Sequence, residues 1–68
     1  MKIIFDREAD AVYIELGEGD FASNKIIDSK TIIDLDKKGK ILGIELLDVS
    51  KSISKDFLSN ISVENFGR

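Results

Sequence analysis

The 68-residue sequence contains no cysteine and no histidine. Without cysteine no disulfide can staple a small chain, and without a Cys/His set there is no structural zinc site. The lack of cysteine fits a reducing, cytoplasmic setting. The lack of histidine removes the commonest general base, together with the Ser-His and Cys-His arrangements of nucleophilic catalysis. Long apolar runs are also missing: the opening MKIIFDREAD returns to charge after a run of three apolar residues, so neither a signal peptide nor a membrane span is expected. A strong excess of one charge is also missing. Thirteen acidic and ten basic residues give a net charge of -3 with the signs interspersed, and a nucleic-acid-binding surface is not expected. Aromatic residues are few: Phe5, Tyr13, Phe21, Phe57 and Phe66.

What is present is β-branched aliphatic residues, with isoleucine the commonest residue of the chain. This favours sheet over helix. A chain of this length is expected to form one domain, 1–68, and a domain of such size buries only about 60% of the surface its unfolded chain exposes. Two solutions remain for stability, a dense aliphatic core or self-association, so a homodimer is among the expectations.

Alternating apolar residues place the strands. Lys2 to Phe5 reads as a first strand, with Ile3 and Phe5 on one face, and residues 6–10 as a polar connection. Ala11 to Leu16 follows, with Val12, Ile14 and Leu16 on one side and Ala11, Tyr13 and Glu15 on the other. Gly17-Glu18-Gly19-Asp20 is a loop, and Phe21 and Ala22 are expected to anchor it against the core. Lys25 to Asp28 reads as an edge strand in which Lys25 discourages pairing with another chain. A second hairpin runs from Thr31-Ile32-Ile33-Asp34-Leu35-Asp36 through Lys37-Lys38-Gly39-Lys40 to Ile41–Leu47. A type I turn with Gly39 in the left-handed position of a G1 bulge fits this connection. Gly43 interrupts its strand and marks a bulge, or a place where something packs on the backbone, Tyr13 for example.

After Leu47 the period changes. Asp48 is read as the cap of a short helical turn near Val49, and Ser54 as the cap of a helix carrying Ile53, Phe57, Leu58 and Ile61 as one apolar stripe. Ile61-Ser62-Val63 is a last strand-like fragment, and Asn65 to Arg68 is expected to fray. The fold class is therefore α+β: a small antiparallel sheet of four to five strands formed by hairpins, with a short C-terminal helix packed on one face.

Candidate sites are sparse. Counted from Asp34, the hairpin segment has acids at positions one, three and twelve and glycine at six, like a calcium loop. Lys38 stands where the fifth-position oxygen belongs, and the flanks read as strands rather than helices, so coincidence is the better reading. Asp34, Asp36 and Glu45 remain the candidates for a small-ligand or metal module. The acid pairs Asp34/Asp36, Glu18/Asp20 and Glu8/Asp10 are also those expected of solvated turns. No serine has a visible activating partner, and Gly17-Glu18-Gly19 lacks what a phosphate cradle needs. Lys37, Lys38 and Lys40 at one hairpin tip read as a solubilising turn. No catalytic residue and no cofactor are assigned, and an enzyme is not the expected outcome. Tyr13 stands opposite Val12 and Ile14, so its ring is expected against the helix or against another subunit. It and Phe57 are the candidate interaction residues.

Three stretches carry a family resemblance. Lys2-Ile3-x-Phe5-Asp6-x-Glu8-Ala9-Asp10-Ala11-x-Tyr13-Ile14, Ile32-Ile33-Asp34-Leu35-Asp36-x-x-Gly39 and Gly43-Ile44-Glu45-Leu46-Leu47-Asp48-Val49-Ser50 resemble DUF2283, a family of small prokaryotic domains of unknown function. Position 7 is arginine here, where that family often has proline. The resemblance covers roughly residues 2 to 52 and implies a compact β-rich domain with no established activity. The frequent gene neighbourhood of such domains with ribonuclease-like toxins makes an antitoxin-like partner role conceivable, but assigns no residue. The leading expectation is a small protein-interaction domain that self-associates or binds a small protein partner, through the face bearing Ala11, Tyr13 and Glu15 or through the helix around Phe57.

Overall fold

The computed structural model describes residues 1–60. Five strands, β1 (Lys2–Asp6), β2 (Ala11–Glu15), β3 (Ser23–Asp28), β4 (Thr31–Leu35) and β5 (Ile41–Leu47), are followed by a 3-10 turn at Val49–Lys51 and helix α1 (Lys55–Asn60). The strands form one antiparallel sheet in the order β1-β2-β5-β4-β3. The sequential hairpins β1-β2 and β4-β5 meet at the β2–β5 pairing, so β1 and β3 are the edges. The α+β class, the hairpin origin of the sheet and the short C-terminal helix are all present. The fragment at Ile61-Ser62-Val63, Ile61 of the apolar stripe, and Asn65 to Arg68 lie outside the described residues.

Register explains the core. Two cross-strand rows, Ile3–Ile14–Ile44–Ile33–Lys25 and Phe5–Val12–Leu46–Thr31–Asp28, point to one side of the sheet. Val12, Val49 and Leu58 are buried together there, with Ile3, Phe5, Ile14, Leu46 and Ile53 packed around them. All these strand residues belong to β1, β2 and β5, so the 3-10 turn and α1 cover that end of the sheet. Full burial of an aliphatic side chain, as at Val12, Val49 and Leu58, contributes about 1.5–3 kcal/mol.

The turns follow from side chains that bond their own backbone. Asp6 Oδ1 accepts from Ala9 N at 3.1 Å in the first connection. In the β4-β5 hairpin Gly39 N donates to Asp36 O and Asp36 N to Lys40 O, both at 3.0 Å, and Gly39 has φ +83°. This is the expected turn with its G1 bulge. Asp36 Oδ1 also accepts from Lys38 N at 2.8 Å and Lys40 N at 2.9 Å.

Several expectations need correction. Leu16 lies beyond β2 and is 47% exposed, because Leu16 N and Gly17 N both turn to the carbonyl of Leu42. The Gly17–Asp20 loop is not anchored by Phe21, which is 58% exposed; Ala22 N instead donates to Leu35 O at 2.8 Å. Asp48 occupies the cap position without a capping side-chain bond. Its carboxylate pairs with Lys30 Nζ at 2.6 Å, and the turn is held from a distance by Asp10. Ser54 does cap α1, its Oγ accepting from Phe57 N at 3.2 Å. The apolar stripe splits: Leu58 is buried while Phe57 is exposed, since adjacent helical residues point about 100° apart and only one meets the sheet.

Candidate functional site: the open sheet face around Tyr13

The other side of the sheet has two rows of its own. Ile4–Tyr13–Glu45–Ile32–Ile26 runs across all five strands, and Lys2–Glu15–Gly43–Asp34–Asn24 runs beside it. No helix lies on this face among the described residues, because the core built on Val12 forms on the opposite one. Tyr13 is therefore not packed against the helix, which removes the first of its two expected settings.

The ring of Tyr13 leans from its own row across Gly43. An ideal Cβ at Gly43 would fall onto the Tyr13 hydroxyl and Cζ and would lie 2.8 Å from Ile14 O. Glycine is needed here for space. The Tyr13 hydroxyl is thereby turned toward Asp34, whose charge and side-chain hydrogen bonding both favour its protonated form. Asn24 Nδ2 donates to Asp34 Oδ1 at 2.7 Å from the far side. Asp34 is thus held between β2 and β3 by two side chains.

Glu15 and Asp34 flank Gly43 in register, and Glu45 pairs with Tyr13 itself. Desolvation raises the pKa of Tyr13 above its ordinary 10.0, and the negative charges of Asp34, Glu15 and Glu45 push the same way. The one ion pair among the described residues joins Lys30 to Asp48, so none of these three carboxylates is neutralised by a salt bridge. Lys2 is the single basic residue of the two rows and stands at the sheet edge.

The sequence-predicted acids are thus divided. Asp34 and Glu45 both face Tyr13, whereas Asp36 is engaged by the amides of its own turn. Among the described residues no group of three or more His, Cys, Asp or Glu is arranged to hold a metal ion. Asp10 lies in the first turn as read and also bonds Ser50: Oδ1 accepts from Ser50 N at 3.0 Å and Oδ2 from Ser50 Oγ at 2.7 Å. The lysine tip of the β4-β5 hairpin has Asp20 and Asp36 beside Lys37, Lys38 and Lys40. Glu15 was legible only as a face-mate of Tyr13, and Asn24 gave no signal, since their roles depend on strands that are distant in sequence.

Residues 2–50 match the model of the family described as a protein of unknown function, DUF2283. The chain belongs to the DUF2283 family. The match spans the five strands and ends inside the 3-10 turn, so the Asp10–Ser50 clasp and the Tyr13–Gly43–Asp34 arrangement both fall within the DUF2283 region. No curated protein and no solved structure matches the chain. None of its described helices is long and apolar enough to cross a membrane.

Proposed function

We propose that this DUF2283 domain is a protein-interaction module whose recognition surface is the open face centred on Tyr13. The observation that supports this is the row Ile4–Tyr13–Glu45–Ile32–Ile26, which crosses the whole sheet with no helix over it among the described residues. A tyrosine ring with flanking aliphatic groups supplies contact area at low entropic cost. The carboxylates of Glu15, Asp34 and Glu45 set the sign of the partner: a segment bearing lysine or arginine is favoured, and like charge disfavours a second copy docking face to face. The antitoxin-like role suggested by the family resemblance is a special case, with a small basic toxin as the partner.

Tyr13 is the only tyrosine and the chain has no tryptophan, so tyrosine emission reports on this face alone. Titration with a lysine-rich peptide carrying isoleucine and valine is expected to change that emission saturably. An equally long glutamate-rich peptide is expected to leave it unchanged. Equal responses to both peptides, or no response to either, would overturn the reading.

A second reading is favoured by the hydrogen bond of Tyr13 to Asp34 beside Glu45: a small cationic ligand held by these acids. A free lysine or arginine side-chain analogue that reproduces the emission change at comparable concentration would select it over a protein partner.

A further inference from the structure

The edge strand β3 is exposed along its whole length, unlike β1 at the other edge, whose three central residues are half-buried. Ile26 is 70% and Ile27 is 51% exposed. One side of β3 pairs with β4 and the other side has no strand among the described residues. Backbone donors and acceptors in such a row are satisfied in full only by water or by another strand, and two large aliphatic side chains make water the poorer solution.

The register carries the identity of that strand. Lys25 pairs with Ile33 and Asp28 with Thr31, and the irregularity between Ile26 and Asp28 leaves Ile27 as the extra residue. Ile33 and Thr31 lie on the same face of β4, so Lys25 and Asp28 also share one face although they are three apart. Without the bulge they would point to opposite faces. β3 therefore presents a cation and an anion on the core side of the sheet, while Ile26, between them in sequence, belongs to the Tyr13 side and Ile27 is the bulged residue. Under a two-fold axis normal to the sheet, an antiparallel second copy sets each Lys25 opposite Asp28 of the other copy and each Ile26 opposite Ile27.

We infer that two copies of this chain pair through β3, antiparallel and in that register, joining their sheets into one of ten strands. The pattern is self-complementary. A lysine on an edge repels most incoming strands, and here it admits one that offers a carboxylate at the matching position. The Tyr13 face stays uncovered in such a dimer, so this inference stands apart from the function proposed above. A strand-to-strand contact is smaller than a standard interface, so the association is expected to depend on concentration.

The test is the solution mass of the full chain by light scattering, from micromolar to about 1 mM. The mass is expected to rise from 7.6 kDa toward twice that value. Lys25→Glu alone and Asp28→Lys alone are each expected to stay monomeric where the parent is dimeric, because like charges then meet twice. Mixed in equal amounts, the two variants are expected to regain the dimer, since both charge pairs are restored between unlike chains. A parent that is monomeric throughout, single variants that still dimerise, or a mixture that does not recover would each overturn the inference. Asp28 also accepts from Lys30 N at 2.9 Å and so supports its turn. If circular dichroism shows Asp28→Lys to be unfolded, Ile26→Lys replaces it: a monomer is expected, and a persisting dimer overturns the inference.

Discussion

Tyr13 and Gly43, thirty positions apart in sequence, share one space: the hydroxyl end of the ring lies where a side chain at 43 would begin. Glycine interrupts a strand at a conformational cost, and here the cost is offset by the aromatic packed over it.

Gly43→Ala is accordingly expected to destabilise the fold by about 1–3 kcal/mol, as overpacking does. Tyr13→Ala in the same chain should recover part of that loss and not all of it, because Ile14 O remains 2.8 Å from the new methyl group. Chemical denaturation of the two single variants and the double variant gives the coupling, and strict additivity would contradict the contact.

Asp10 and Ser50 form the corresponding long-range polar contact. Asp10 holds a positive φ of 56°; its carboxylate accepts from Ser50 N and Oγ, and its carbonyl accepts from Val49 N at 3.0 Å. Asp10→Ala is expected to cost about 1–2 kcal/mol as a cap-sized loss and about 1 kcal/mol more because alanine is strained at this left-handed φ. Ser50→Ala should cost less, since Ser50 N keeps its acceptor. Combined, the two should cost less than their sum, which urea melts can measure.

Tyr13 ionises late. Its folded pKa is raised above 10.0, chiefly by desolvation and then by Asp34, so the folded state holds the phenolic proton more tightly than the unfolded chain does. The contribution to stability is present below the unfolded pKa and is lost as pH rises through the folded one. Tyrosinate absorbance of the native protein should therefore appear above the ordinary range. Asp34→Asn should bring it closer to that range.

Asp48 combines a left-handed backbone, φ 52°, with the ion pair to Lys30. The hydrogen bond and charge of Lys30 lower its pKa, so its stabilising contribution is present above the unfolded carboxylate pKa and is lost as pH falls through the folded one. Asn tolerates this backbone and Ala does not. Asp48→Asn should therefore remove the acid-dependent part alone, whereas Asp48→Ala should lose about 1 kcal/mol more at every pH. Thermal melts at neutral and acid pH separate the two effects.

Gly39 isolates backbone freedom from packing. Nothing lies within 4 Å of an ideal Cβ there, yet φ is +83°. Gly39→Ala should cost about 1 kcal/mol through conformation alone, with the sheet spectrum by circular dichroism retained.

The sequence by itself determined what depends on neighbours along the chain. Alternation gave the strands, Asp36 and Gly39 specified the hairpin turn, Ser54 opened α1, and Lys25 lay on an edge strand as read. Those features are encoded by period and by short-range hydrogen bonds, which need no tertiary partner. Tertiary structure alone decided the pairing of β2 with β5, and that pairing laid Tyr13 over Gly43 and gathered Glu15, Asp34 and Glu45 around it. It also turned Asp48 from a cap into a partner of Lys30, gave the capping role to Asp10, and left Phe57 and Phe21 in solvent. The physical reason is separation: which strand joins which hairpin is set by the total burial of two distant apolar faces, and no local pattern records that sum.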